Sequence, residues 1–321
     1  VTATAVLGEW RGEHVKVGEV LEALDGLRRG EQRTATRTSV LNLVVVAADE
    51  ADAARASEAI EGLGGRHPGR TLVLAPGPSD GSRLNAEVRL LGAEVEGHGV
   101  WSEQVRLTAC GALWDHLDSL IEPFTLPDLP VAVWYVSDLP PLADRLLAAA
   151  DVVLVDSKEL GDVLAFPHLA ELARRRSVVD LSWARLRPWR ELLASLFEGE
   201  AFRPLARRVD RAEVHGKEGP RYLLAGWLAS RLALSPGAVE LHEARHVALR
   251  LHAGGSVFEA VRHQGERVVR AAAEVEGGPS HHEAVSLPHD SLPRSLAMAL
   301  THLERDRVWE QALRGALAFP A

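Results

Sequence analysis

At 321 residues the chain is longer than one typical core supports, and two domains are expected. Hydrophobic residues make up 46% and charged residues 25%, the balance of a globular protein with a sizeable core. A net charge of −9 argues against general nucleic-acid binding, and a single cysteine, Cys110, excludes an intramolecular disulfide or a cysteine-rich zinc site. The apolar runs are strand-sized and no leader pattern is visible, so a cytoplasmic protein away from the membrane is expected.

In chain order, residues 1–38 carry one helical pattern at 17–28, and a long apolar strand follows at 38–48. A helix at 49–63 and the strand "RTLVLAP" (70–76) complete a βαβ unit. Residues 84–91 and 103–109 alternate apolar and polar, which suits an antiparallel pair. A helix at 111–121 leads to the strand "PVAVWYV" (130–136), and Pro140 and Pro141 open a helix to 150. The strand "DVVLVDS" (151–157), a helix to 175, the strand "SVVDLSW" (177–183) and a helix from Pro188 to 198 follow. This alternation predicts a Rossmann-like, mostly parallel sheet with helices on both faces, in a domain spanning 1–203.

After 203 the rhythm changes. A helix at 219–233 precedes alternating segments at 238–243, 246–252, 256–263 and 266–275, which read as an antiparallel meander. Residues 276–293 read as a loop, and one last helix runs 293–317 with Leu296, Leu300, Leu303, Trp309 and Leu313 on one stripe. Residues 204–321 are therefore expected to form a smaller α+β domain.

Motifs that would declare a chemistry are missing. "GLGGRHPG" (62–69) fails the dinucleotide fingerprint because His67 stands where the third glycine belongs, and it lies between helix and strand, the wrong end for that turn. No Walker loop or G-x-S-x-G elbow occurs, so no cofactor is expected. His281, His282 and His289 cluster with Glu283 and Asp290, but no H-E-x-x-H spacing accompanies them, so a polar surface loop and no metal site is expected. Cys110 precedes a helix, with His116 too far along it to serve readily as a base, and is expected to be buried. Ser137 and Asp138, Asp156 and Ser157, and Ser182 end three strands at the edge where α/β proteins bind ligands, although capping the next helix is the role expected first.

The segment "DLSWARLRPWRELL" (180–193) is the densest in tryptophan and arginine. Trp189, Leu192, Leu193, Leu196 and Phe197 form a buried helical stripe from Pro188, so Trp189 is assigned to the core. Trp183, Arg185, Arg187 and Arg190 remain at a strand-to-helix junction. Positive charge there opposes the helix dipole, which calls for a negative partner. That partner is an internal acid such as Asp180 or Glu191, a bound anion, or a carboxylate on another protein.

The segments "RTSVLNLVVV" (37–46), "RHPGRTLVLAP" (66–76), "ACGALWDHLDSLIEPFTLPDLPVAVWY" (109–135) and "DLSWARLRPWRELLASLFEG" (180–199) resemble the glucose-6-phosphate dehydrogenase assembly protein family, OpcA. The resemblance implies a partner of glucose-6-phosphate dehydrogenase that is not itself an enzyme, promoting assembly or activation of the dehydrogenase in the oxidative pentose phosphate pathway. Thiol redox control, which the resemblance to cyanobacterial members suggests, cannot act here through an intramolecular dithiol. A module that senses a sugar phosphate or nucleotide at the strand ends is the alternative.

Overall fold

A computed structural model of the chain describes residues 4–31, 39–67, 69–95, 98–161, 163–262, 266–287 and 290–320. Strand β1 (Ala5–Gly12) leads to helix α1 (Val17–Glu31), β2 (Leu41–Val46), α2 (Glu50–Glu61) and β3 (Gly69–Pro76). Next come β4 (Leu84–Val95), β5 (His98–Ala109), α3 (Leu117–Ile121), β6 (Val131–Tyr135), α4 (Leu146–Ala149) and β7 (Val152–Val155). Helix α5 (Phe166–Arg175), β8 (Ser177–Asp180), α6 (Leu181–Arg185) and α7 (Arg187–Ser195) follow. The chain continues through β9 (Arg211–Gly216), α8 (Glu218–Leu232), β10 (Val239–Glu243), β11 (Ala248–Ala253) and β12 (Ser256–Val261). It ends with β13 (Val268–Glu274), β14 (Ser280–Ser286), α9 (Leu292–Thr301) and α10 (Arg307–Ala316).

Packing divides these elements into two compact units. One collects residues 1–156, 176–179 and 291–304, and the other 157–175, 180–290 and 305–321.

The first unit is built on an eight-stranded sheet of order β1-β4-β5-β3-β2-β6-β7-β8. Strands β5, β3, β2, β6 and β7 pair in parallel, while β1, β4 and β5 pair antiparallel. Leu43, Val44, Val45, Val73, Leu74, Val133 and Val153 are at most 1% exposed, as strands covered on both faces require. Each such side chain contributes about 1.5–3 kcal/mol by leaving water. Asp49 caps α2 by accepting the Asp52 N–H at 2.8 Å, and Ala53, Ala56 and Ala59 let that helix lie close on its buried face. A charged group is buried as well: Glu103 accepts from Arg70 Nε at 2.6 Å and from Arg28 Nη2 at 2.8 Å. Two guanidinium groups around one carboxylate satisfy the polar atoms that burial would otherwise leave costly.

The second unit carries a six-stranded sheet of order β10-β9-β11-β12-β13-β14. Its alternation is clear: Ala212, Val214, Leu249, Leu251, Phe258, Ala260, Val269, Ala271 and Ala273 are buried, and their neighbours face outward. Phe197, just past α7, stacks on Phe258 with ring centroids 4.2 Å apart. Helices α8 and α10 meet at two glycines. A Cβ on Gly226 would lie 2.0 Å from the Ala312 carbonyl oxygen, so only glycine permits that approach.

The mixed α/β class and the parallel core strands agree with the expectation, and several boundaries differ. β1 and β14 are strands where the sequence suggested none, because their mostly exposed residues give no apolar alternation to read. β9 was also missed, and β10 pairs with it in parallel across α8, so the antiparallel meander comprises β11–β14. Pro140 and Pro141 do not open a helix to 150. Asp144 instead accepts the Leu146 N–H at 2.9 Å and starts the short α4. The expected helix 293–317 is two helices, broken where Asp306 caps α10 by accepting the Val308 and Trp309 N–H groups at 2.8 and 3.0 Å. The strand expected over 177–183 stops at Asp180, which caps α6, so Trp183 is helical.

Candidate functional site

The tryptophan–arginine segment is organised by two copies of one short pattern, Asp180-Leu181-Ser182-Trp183 and Asp306-Arg307-Val308-Trp309. In each, the aspartate is the N-cap and the tryptophan lies in the first turn. The indoles are exchanged. Trp183 Nε1 donates to Asp306 Oδ2 at 2.7 Å, and Trp309 Nε1 donates to Asp180 Oδ2 at 3.3 Å. Asp180 Oδ1 also accepts the N–H groups of Ser182 and Ser157 at 2.9 and 3.1 Å. Ser182 Oγ accepts the Lys158 N–H at 3.0 Å. Two helix starts and the chain around Ser157 are thereby fastened to one buried polar cluster.

Arg190 lies over Trp183, its guanidinium carbon 3.5 Å from the ring centroid, and its Nη2 donates to the Trp183 carbonyl at 3.2 Å. Burial lowers the Arg190 pKa to about 10, against the opposing pull of Asp306 and Glu191. Arg187 Nε meets Glu191 at 2.7 Å, one helical turn on, with about half of its side chain exposed. Arg185 Nε stands 3.7 Å from Asp290. Trp183 and Trp189 are 4% and 6% exposed. Each arginine therefore has a carboxylate of its own chain nearby, and Arg187 is the one that reaches solvent most openly.

A second feature sits in the first unit. The chain runs from β2 to β3 on one side and returns to β6 on the other, so the direction of strand order reverses between β2 and β6. Ligand crevices form at such reversals, beyond the carboxyl ends of the strands. A cavity of 680 Å³ opens there, lined by Ala47, Trp114, Asp115, Asp118, Tyr135, Asp138, Asp144 and Arg145, among others. Tyr135 Oη donates to Asp144 Oδ2 at 2.9 Å, and its pKa is raised by burial and by the negative charge of Asp144. Asp118 Oδ1 is buried with no hydrogen-bond partner among the described residues.

The strand-end residues named from sequence separate. Asp138 is exposed and lines the cavity. Ser137 belongs to a network, donating to Asp52 Oδ2 at 2.5 Å and accepting from Arg55 Nη2 at 3.1 Å. Asp156 and Ser157 are 2% and 3% exposed. Cys110 is buried, and a Cβ on Gly77 would lie 2.3 Å from its sulfur. His281 and His282 are neighbours on β14 and point to opposite faces, while His289 lies outside the described residues. Asp306, Trp309, Asp118, Asp144 and Tyr135 were not singled out as site residues. The repeated D-x-x-W pattern was the legible signal for the first two, whereas the cavity residues come from separate loops and share no spacing.

Among the described residues no helix is long and apolar enough to cross a membrane. A crystal structure of a super-repressor mutant of Gal80p from Saccharomyces cerevisiae aligns over 82% of this chain and 83% of its own, at 8% identity and a TM-score of 0.38. The OpcA protein of Synechocystis sp., named for the OxPP cycle, is 27% identical over 198 residues, covering 55% of this chain and 41% of that protein. OpcA of Nostoc punctiforme is 26% identical over 200 residues, covering 58% and 43%. The match thus spans about two-fifths of the length of these relatives. Residues 60–180 match the family described as the glucose-6-phosphate dehydrogenase subunit N-terminal domain, and residues 176–313 match the corresponding C-terminal domain. With both domain families matched in order from residue 60 to residue 313, the chain belongs to the glucose-6-phosphate dehydrogenase assembly protein family, OpcA.

Proposed function

We propose that this chain is a non-catalytic, cytoplasmic assembly factor that binds glucose-6-phosphate dehydrogenase and favours its active oligomer. The observation that carries this reading is the match of consecutive stretches of chain to two domains described as parts of a glucose-6-phosphate dehydrogenase subunit. The physical route is mass action. A protein that binds the active form better than the inactive one shifts the population by its differential affinity, and no chemistry of its own is needed.

Within this reading the segment holding Trp183, Arg185, Arg187 and Arg190 is the docking edge, facing an acidic surface. Trp183 and Arg190 hold its shape through the contacts with Asp306 and with each other. Arg187 is the residue placed to exchange partners, because an exposed i,i+4 pair is worth only about 0.3–0.5 kcal/mol. A dehydrogenase carboxylate could replace Glu191 at little cost. Sedimentation of the chain with the dehydrogenase of its own organism tests this: a complex should form, and Arg187→Glu should weaken it without lowering the melting temperature. No complex with the unaltered chain would remove the reading.

The cavity at the β2–β6 reversal favours a second reading, a small-molecule sensor. Asp115, Asp118, Asp138 and Asp144 outnumber Arg145 there, which suits a ligand rich in hydroxyl or amino donors better than a phosphate. Thermal stabilisation by a polyol, with none by sugar phosphates, would support it.

A further inference from the structure

The outward face of β9 and β10 carries a compact set of metal-ligating side chains that the assembly reading does not use. The two strands pair in parallel with Glu213 opposite Glu240 and His215 opposite His242. Alternate residues on a strand share a face, so all four side chains project to the same side. The rings of His215 and His242 stack with centroids 4.5 Å apart and planes at 20°. One ligand atom each from Glu213, His215 and His242 lies within 4.8 Å of the others.

We propose that Glu213, His215 and His242 form a binding site for one divalent transition-metal ion of the zinc, nickel or copper class. Two imidazole nitrogens and one carboxylate oxygen suit those ions, while calcium and magnesium prefer oxygen alone. The two oxygens of Glu213 are already differentiated. Oε1 is held by Arg211 Nη2 at 2.7 Å and by His252 Nε2 at 2.9 Å. Oε2 has longer neighbours, His215 Nε2 at 3.9 Å and Arg250 Nη1 at 3.7 Å. Fixing one carboxylate oxygen so that the other is aimed is how outer-shell groups orient a metal ligand.

A bound ion would tie β10, the edge strand of its sheet, to β9, and would leave a coordination position open to water or to a group from another molecule. Glu240, 3.6 Å from His242 Nε2, stands beside the site as a further oxygen donor. Arg211 and Arg250 add positive charge nearby, so the affinity should be that of an exchangeable site rather than a permanent structural one.

The test titrates the untagged chain with zinc chloride and, separately, nickel chloride, following heat release and melting temperature. The expected result is one ion per chain and a higher melting temperature. His215→Ala and His242→Ala should each weaken binding at least about tenfold, and the double variant should lose both signals. His281→Ala with His282→Ala should leave both signals intact. His242→Gln, on the exposed edge strand, provides a variant that keeps the fold if an alanine does not. Absence of binding to the unaltered chain, or binding that survives loss of both His215 and His242, would overturn the proposal. So would loss of binding on removing His281 and His282 alone.

Discussion

Asp180 accepts the indole N–H of Trp309 at 3.3 Å, while the aspartate that caps the helix of Trp309 accepts the indole of Trp183 in return. Each carboxylate thus caps its own helix and anchors the other helix's tryptophan. Losing one aspartate removes a cap and also orphans a buried donor. Asp306→Ala is expected to cost about 2–4 kcal/mol, roughly 1 from the cap and the rest from the unpaired Trp183 indole. Asp306→Ala, Trp183→Phe and the double variant, followed by urea unfolding, should show a coupling energy of about 0.5–3 kcal/mol. Purely additive costs would mean that the exchange does not contribute to stability.

Arg187 and Arg190 should separate docking from folding. Arg190 is buried over Trp183, so Arg190→Ala should lose about 1–3 kcal/mol of stability through the stacked guanidinium and its bond to the Trp183 carbonyl. Arg187→Ala should change stability by no more than about 0.5 kcal/mol, since its pair with Glu191 is exposed. Thermal melts of both variants, set beside their affinity for the dehydrogenase, decide the matter. An Arg187 variant that binds as well as the unaltered chain would place the docking surface elsewhere.

Gly226 should tolerate no side chain. Gly226→Ala would drive a methyl group into the Ala312 carbonyl and the Ala316 N–H, forcing α8 and α10 apart. Overpacking of this kind costs about 1–3 kcal/mol. Gly237→Ala, whose added Cβ would meet none of the described residues within 4 Å beyond its chain neighbours, is the control and should be close to neutral. Equal melting temperatures for the two variants would contradict the helix contact.

His67 provides a pH dependence of known sign. Burial is the main cause that lowers its pKa below the usual 6.5, with Arg66 adding to it and the bond to the Ala297 carbonyl opposing. The folded chain therefore prefers the neutral ring, and the unfolded chain takes up a proton first. The stability that His67 contributes is present above 6.5 and is lost as pH falls through the lowered value. Melting temperature should drop between about pH 7.5 and pH 5, and His67→Gln should shrink the drop. An unchanged slope would assign the pH response to other groups.

The interior was more legible in the sequence than the surface. Strands such as β2 and β3 announce themselves because both faces are buried and apolar residues run together, as in Leu43–Val46 and Leu72–Ala75, whereas β1 and β14 expose most residues and leave no periodic trace. Pro188 at the start of α7 and the buried stripe of Trp189, Leu192, Leu193 and Leu196 agree with the spacing, since helix burial repeats every three to four residues, whereas α7 ends at Ser195 and Phe197, beyond it, is half-buried. Trp183 was harder. Its indole is satisfied by a residue 123 positions away, and no local rule connects them. The cavity is likewise assembled from residues between 46 and 145, brought together by a sheet order that the sequence does not spell out.

The central claim is tested most directly by measuring the oligomeric state and glucose-6-phosphate turnover of the dehydrogenase from the same organism as this chain is titrated in. The account predicts a saturable shift to a larger, more active species, with turnover rising in step with complex formation and the chain alone showing no turnover. A dehydrogenase whose size and kinetics stay constant through a large excess of the chain would contradict it.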